Sequence, residues 1–329
     1  AVKMMEEYLI GKDPRRIEHH WQALYRGGFY RGGPILTSAL SGIEQAMWDL
    51  LGKSLETPVY QLLGGAVRER VKVYAHVGGD TTEELCTRSK ALATQGFSVL
   101  KTSFAPPVAY LENQAFVESC TERFATLRNV VGPEVDLAID FHGRFSPAMS
   151  KRMIRALEPY YPFFIEEPCL PGNTDALVEL RNSTTVPLAT GERLFTKWGF
   201  RDLIQRQAVA ILQPDLCHAG GIGEVKKIAA MAEACDLAVA PHNPLGPISL
   251  AACLQLDACT HNAFLQEQVT LGEGYLKEPF IMEEGYIKVP QKPGLGIELD
   301  VARIKELEYD GRWQTPRVFD DKDSSVAEW

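Results

Sequence analysis

From about residue 71 the chain alternates short β-prone runs with helical segments, and this alternation constrains the fold more than any other feature of the sequence. The runs are VKVYAHV, FSVLKTSF, VDLAIDFH, YPFFIEEP, VPLATGER, VAILQPD, LAVAPHN and NAFLQEQ, eight in all. Strands separated by helices pair in parallel, because each helix carries the chain back along the sheet. Eight such units predict an α/β fold, a (β/α) TIM-like barrel. Between the third and fourth runs, SPAMSKRMIRALEPY places Met149, Met153, Ile154 and Leu157 along one helical face. A barrel of this kind takes roughly 250 residues, so 329 residues leave room for a smaller attached piece.

That piece flanks the barrel on both sides. Residues 1–68 read as helical, with Leu40, Ile43, Met47, Leu50 and Leu51 at helix spacing and Thr37 or Ser38 as the expected N-cap. Before them lies YRGGFYRGG, whose Arg26 and Arg31 suit either a connector or a substrate-facing loop. The barrel is assigned to residues 69–274. Residues 275–329 contain YIKVPQKPGLGIELD, a strand–loop unit, and end in a polar, Trp-terminated segment expected to pack back on the N-terminal helices.

Most of the strand candidates end in a polar residue, and the series is Lys101, Asp140, Glu166, Glu192, Asp215, His242 and Glu267. From Asp140 onward the intervals are 26, 26, 23, 27 and 25 residues, one strand–helix unit each. In a β/α barrel such positions converge on the C-terminal mouth, where active sites sit. Burying so many charges is costly unless they pair or ligate something. Asp140, Glu166 and Glu192 form an oxygen-only set on three successive strands, which favours a hard cation, Mg²⁺ above Zn²⁺. The alternative is a carboxylate cluster neutralised by lysine or arginine. His242 follows Asp215 by one strand, and a neighbouring carboxylate can hold an imidazole tautomer and raise its basicity, which makes His242 the better candidate base. His142 lies two residues beyond Asp140, on the same side of the strand. Its surrounding carboxylates are expected to favour the imidazolium over the cost of burial. His76 and His218 lie near strand ends and could line the same pocket.

Composition excludes several other classes. A net charge of −9 leaves no basic footprint for nucleic acid or an anionic membrane. No apolar run approaches the ~18 residues of a membrane span, and Glu6 and Glu7 interrupt any signal-peptide core. Cys86, Cys120, Cys169, Cys217, Cys235, Cys253 and Cys259 are odd in number and form no CxxC pair, so they read as reduced residues of a cytoplasmic protein.

The ordered set GGFYRGG, DFHGR, FIEEP, GER, QPDLCHAGGI, APHNPLGPI, QEQ, KPGLGIE and SVAEW resembles the enolase superfamily, in the branch grouped with mandelate racemase, over nearly the whole chain. The resemblance implies a partial, mainly helical N-terminal capping region over residues 1–68. It implies Mg²⁺ on Asp140, Glu166 and Glu192, His242 with Asp215 as general base, His142 as general acid, and Glu267 as hydrogen-bond partner of the enolate oxygen. Racemases and cycloisomerases of this type carry Lys-x-Lys on the second strand; here the segment is Lys101-Thr102-Ser103. The implied reaction is therefore Mg²⁺-dependent dehydration of a sugar acid to a 2-keto-3-deoxy acid, with D-galactonate the leading substrate. Dehydration of gluconate or mannonate, or epimerisation, are the alternatives, and a homo-oligomer is expected. Family members begin with strands bearing a mobile loop over the site, whereas this chain starts at the helical part of the cap. The lid is therefore expected to be absent and turnover weak, which keeps a truncated, non-catalytic relative as a further alternative.

Overall fold

The structure is a computed structural model that describes the chain except residues 105–107, 310, 313–317, 321–322 and 328–329. The last two residues of the SVAEW motif fall outside the described residues.

The eight strand candidates all form strands: β1 (Arg70–His76), β2 (Val99–Ser103), β3 (Asp136–Asp140), β4 (Ile165–Glu166), β5 (Leu188–Thr190), β6 (Ile211–Leu212), β7 (Ala238–Val239) and β8 (Gln266–Gln268). Neighbours from β1 to β7 pair in parallel, and β8 pairs in parallel with β1. A parallel bridge between Val239 and Ala263 joins the last gap, so the sheet closes on itself. Helices α5 (Thr82–Thr94), α6 (Gln114–Val131), α7 (Pro147–Leu157), α8 (Thr174–Arg181), α9 (Thr196–Gln205), α10 (Ile222–Glu233) and α11 (Pro247–Ala258) follow β1 to β7 in turn. In α7 the expected face is the buried one: Met149, Met153, Ile154 and Leu157 all face inward, and Ser146 caps the helix by accepting from the Met149 N–H. No described helix is long and apolar enough to cross a membrane.

Strand residues divide by period two between two cores. Val73, Leu100, Leu137, Ile165, Leu188 and Leu212 pack outward with the helices. Tyr74, Val99, Ala138, Phe164, Ala189, Ile211, Ala240 and Leu265 form a separate cluster, one residue from each strand or the position next to it, which fills the barrel interior. Large Tyr74 and Phe164 alternate there with small alanines, and their rings meet edge-on at 6.5 Å between centroids.

The cap precedes the barrel as α1 (Val2–Leu9), α2 (Ile17–Gly27), α3 (Pro34–Ser54) and α4 (Val59–Leu62). Helix α3 starts earlier than its sequence predicts: Gly33 is the N-cap and Pro34 occupies the first turn, so Thr37 and Ser38 lie inside the helix. Proline fixes φ for the first helical position and lacks the N–H that would go unpaired there, which outweighs a hydroxyl cap one turn later. The buried face also differs from the apolar one: Leu40 and Met47 are buried beside Ser41, Glu44 and Gln45, while Leu50 is exposed. After β8 the chain forms a small hairpin, β9 (Met282–Glu283) and β10 (Tyr286–Lys288), with β10 antiparallel to the start of β1. It then reaches the cap, where Val59 N–H donates to Gly294 O at 3.0 Å and Leu295 N–H to Asp49 Oδ1 at 2.9 Å.

Candidate active site

The polar series lies in register with the barrel interior. Two residues beyond the inward Tyr74, Val99, Ala138, Phe164, Ala240 and Leu265 come His76, Lys101, Asp140, Glu166, His242 and Glu267, which places them one layer higher on the same side. Glu192 breaks this phase. Gly191 holds φ +152°, and a Cβ there would stand 2.8 Å from the Gln213 backbone, so only glycine allows the turn that brings Glu192 round.

Asp140, Glu166 and Glu192 each offer an oxygen within 4.8 Å of the others. Glu166 is the hub: Lys101 Nζ lies 2.8 and 2.7 Å from its two oxygens, and Gln213 Nε2 donates to it at 2.7 Å. Lys101 also lies 2.8 Å from Glu267 Oε1 and 3.8 Å from Asp140 Oδ2. Burial penalises this ammonium, yet Glu166 and Glu267 raise its pKa well above the ordinary lysine value. One lysine does not neutralise the cluster. Burial pushes Glu192 up to about 9, against His242, and it raises Glu166 against Lys101. Buried carboxylates held above their ordinary range, with oxygens converging on one point, fit a hard divalent cation.

Two imidazoles approach this cluster from β3 and β7, four strands apart in an eight-stranded barrel and so on opposite sides. His242 Nδ1 bonds Asp215 Oδ2 at 2.8 Å, while its Nε2 lies 3.6 Å from Glu192 Oε2 and 3.9 Å from Glu267 Oε2. Burial opposes its charge, but Glu267, the Asp215 hydrogen bond and Glu192 prevail and raise it to about 10. Asp215 is itself fixed, accepting from the Cys217 N–H at 2.7 Å. On the other side His142 Nε2 lies 3.1 Å from Asp140 Oδ2, and the His142 N–H donates to Asp140 Oδ1 at 2.7 Å. Its backbone sits at φ +52°, and Arg193 Nη2 donates to its carbonyl at 2.6 Å.

The expectation that carboxylates would favour the His142 imidazolium is not met. Burial lowers it to about 4, and Arg144 and Lys101 add to the effect. Sequence counted the acids but could not place the three cations, Arg144, Lys101 and Arg193, that act on the ring. Glu267 also has more partners than expected: Lys101, His76 Nε2 and the Asn243 N–H, the last at 2.6 Å. Burial favours its acid form, but Lys101 and His242 hold its carboxyl well below the usual range.

Sequence reasoning missed Gln213 and the buried Glu167, which pairs with Arg193 Nε at 2.8 Å. Gln213 stands two residues past inward Ile211, so the period-two phase carried its signal. Glu167 faces away from that phase, at φ +41°, and had none. Among the cysteines none is disulfide-bonded, and burial raises the thiols of Cys120, Cys169, Cys217, Cys253 and Cys259, which makes them poor nucleophiles.

Residues 84–303 match the family described as enolase C-terminal domain-like, and residues 2–64 the mandelate racemase / muconate lactonizing enzyme N-terminal domain. The D-galactonate dehydratase of Ralstonia nicotianae is 47% identical over 340 residues, covering 100% of this chain and 89% of that protein. The crystal structure of a mandelate racemase/muconate lactonizing enzyme-like protein from Rubrobacter xylanophilus superposes with a TM-score of 0.90 at 35% identity, covering 94% of this chain and 87% of that one. A mandelate racemase/muconate lactonizing enzyme from Jannaschia sp. CCS1 gives 0.89 at 32% identity, covering 94% and 85%. With both domains matched and a helical cap on a closed barrel, the chain belongs to the enolase superfamily, in its mandelate racemase and muconate lactonizing enzyme branch.

Proposed function

We propose that this protein dehydrates a sugar acid, D-galactonate, to the 2-keto-3-deoxy acid through an enediolate. The observation that carries the reading is the pair of unlike imidazoles on opposite sides of the carboxylate cluster, one tied to Asp215 and one lying against Asp140. The similarity to a D-galactonate dehydratase supports the substrate.

Asp140, Glu166 and Glu192 would hold Mg²⁺, which when bound supplies Lewis-acid stabilisation of charge developing on the substrate carboxylate. The rest falls to the protein. Asp215 fixes His242 by Nδ1, so Nε2, once it has given up the proton that its raised pKa favours, is the nitrogen that takes the C2 proton. The C2–H electrons form the enediolate. Collapse of the enediolate breaks the C3–O bond, and His142 gives its proton to the departing hydroxide. The enol so formed tautomerises to the ketone. A lowered His142 is a strong acid once protonated, so it transfers its proton readily but must be loaded with one beforehand. Lys101 of β2 and Glu267 of β8 bound the site on either side of β1, where Glu267, with His76 of β1 beside it, faces the enediolate oxygen.

The test is incubation of the full chain with Mg²⁺ and a panel of sugar acids, reading 2-keto-3-deoxy product. Product from D-galactonate in preference to D-gluconate and D-mannonate is expected. Racemised or epimerised acid without keto product would replace this reading with the epimerase one, and no turnover of any acid would refute it.

A further inference from the structure

The loop after β6 carries Asp215, and the cap grips this loop along its length. Ser38, Ser41, Glu44 and Gln45 fall on one face of α3 by helical spacing. Ser41 Oγ accepts from the Gly220 N–H at 2.9 Å, and Gln45 Nε2 donates to Leu216 O at 2.9 Å. Glu44 accepts from the N–H groups of Ile222 and Gly223, both at 2.8 Å. Trp21 of α2 donates to Gly220 O at 2.7 Å. The approach is close enough that a Cβ at Gly221, which sits at φ +91°, would stand 2.1 Å from Glu44 Oε2.

A further contact of this face is with His218, whose Nδ1 lies 2.8 Å from Ser38 Oγ. The single hydroxyl proton of Ser38 is directed at the Pro34 carbonyl. Ser38 Oγ therefore accepts, and His218 carries its proton on Nδ1. Its Nε2 then faces Asp215, 4.0 Å from Oδ2, the same oxygen that accepts from His242 Nδ1. That distance is too long for a hydrogen bond and matches van der Waals contact. The ring thus forms a wall against the carboxylate oxygen that His242 uses. The His218 N–H also donates to Asp215 O at 3.0 Å, which ties the wall to the residue it supports.

We propose that His218 is a positioning residue for the Asp215–His242 pair: held by Ser38 of the cap, its ring fixes the Asp215 carboxylate and so couples the placement of α3 to the general base. The proposal rests on the reading of His242 as base. It gives the cap a role in aligning the base.

The test uses the full chain with Mg²⁺ and D-galactonate, as His218→Phe, His218→Asn, Ser38→Ala and the Ser38→Ala/His218→Phe double variant. Ser54→Ala is the control, since Ser54 lies on the same helix and bonds its own Leu51 carbonyl. Two quantities are read: kcat and KM, and the NMR signal of the His242 Nδ1–H in histidine-labelled protein without substrate. His218→Phe should lower kcat about 10-fold or more, because small displacements of a base are costly, with KM within about twofold. Ser38→Ala should act in the same sense, and the double variant should be no worse than His218→Phe, because both remove one contact. His218→Asn keeps a donor for Ser38 but removes the ring that stands against Asp215, so it should not restore the lost kcat. The His242 signal should shift in His218→Phe and Ser38→Ala and stay put in Ser54→Ala. An unmoved His242 signal in His218→Phe overturns the inference whatever happens to turnover, and a raised KM beside it would make His218 a substrate contact. A parental kcat in His218→Phe also overturns it. If the unaltered chain turns over no sugar acid, the functional reading fails by itself, and the His242 signal alone decides the role of His218.

Discussion

Replacing Lys101 with Met tests how the carboxylate cluster is balanced. Lys101 Nζ lies 2.7 Å from Glu166 and 2.8 Å from Glu267, and its side chain is 1% exposed. At an effective dielectric near 20 each contact is worth about 6 kcal/mol of Coulomb energy, most of it offset by the desolvation of the three groups. Removing one partner leaves the others buried without compensation, which typically costs about 3–5 kcal/mol. Met keeps the volume, so little of that loss comes from a cavity. In a chain of this size each kcal/mol moves Tm by about 2 °C, so a fall of about 6–10 °C is expected without metal. A divalent cation on Asp140, Glu166 and Glu192 would compensate two of the carboxylates nearest Lys101, Glu166 and Asp140, and leave Glu267 exposed to the change. Added Mg²⁺ should therefore narrow the gap to the parent without closing it, and by linkage the variant should bind Mg²⁺ more tightly. Thermal unfolding at several Mg²⁺ concentrations reads both effects. Equal Tm values without metal, or a gap that Mg²⁺ leaves unchanged, would refute the reasoning.

Three further outcomes are expected. His242→Asn should abolish exchange of the substrate C2 hydrogen with deuterated water while the fold and divalent-cation binding persist; undiminished exchange would move the base elsewhere. His142→Asn should lose roughly 10²–10⁴-fold in dehydration, the usual worth of general acid catalysis, and should keep C2 exchange; a parental dehydration rate would remove His142 from the mechanism. Asp257 is fully buried, neither of its carboxylate oxygens has a hydrogen-bond partner, and burial, partly offset by Arg68, raises it to about 8. A raised acid stabilises the fold below its unfolded value near 3.8, and that contribution is lost as pH rises through about 8. Asp257→Asn should therefore match the parent near pH 4 and exceed it by a few kcal/mol above pH 8, and a pH-independent difference in urea unfolding would count against this account.

The barrel and most of its mouth are legible in the amino-acid order, because both rest on periodicity. Eight apolar runs at one-unit intervals specify parallel strands, and a polar residue closing most runs falls on the inward phase that Ala138–Asp140 and Phe164–Glu166 display. Asp140, Glu166 and Glu192 could be grouped before any coordinates because strand order in such a barrel follows chain order. What periodicity does not encode is the environment of each group across the fold. Lys101 meets Glu166 and Glu267 over 65 and 166 positions of sequence, and burial, with Arg144 and Lys101 adding to it, reverses the charge preference of His142 that counting nearby acids suggests. The buried face of α3 was misjudged for the same reason. Its apolar spacing pointed to Leu50, whereas the structure buries Ser41, Glu44 and Gln45, which find their donors and acceptors in a loop more than 170 residues away. A polar side chain is buried only when its partner is supplied, and here the partner comes from the tertiary fold.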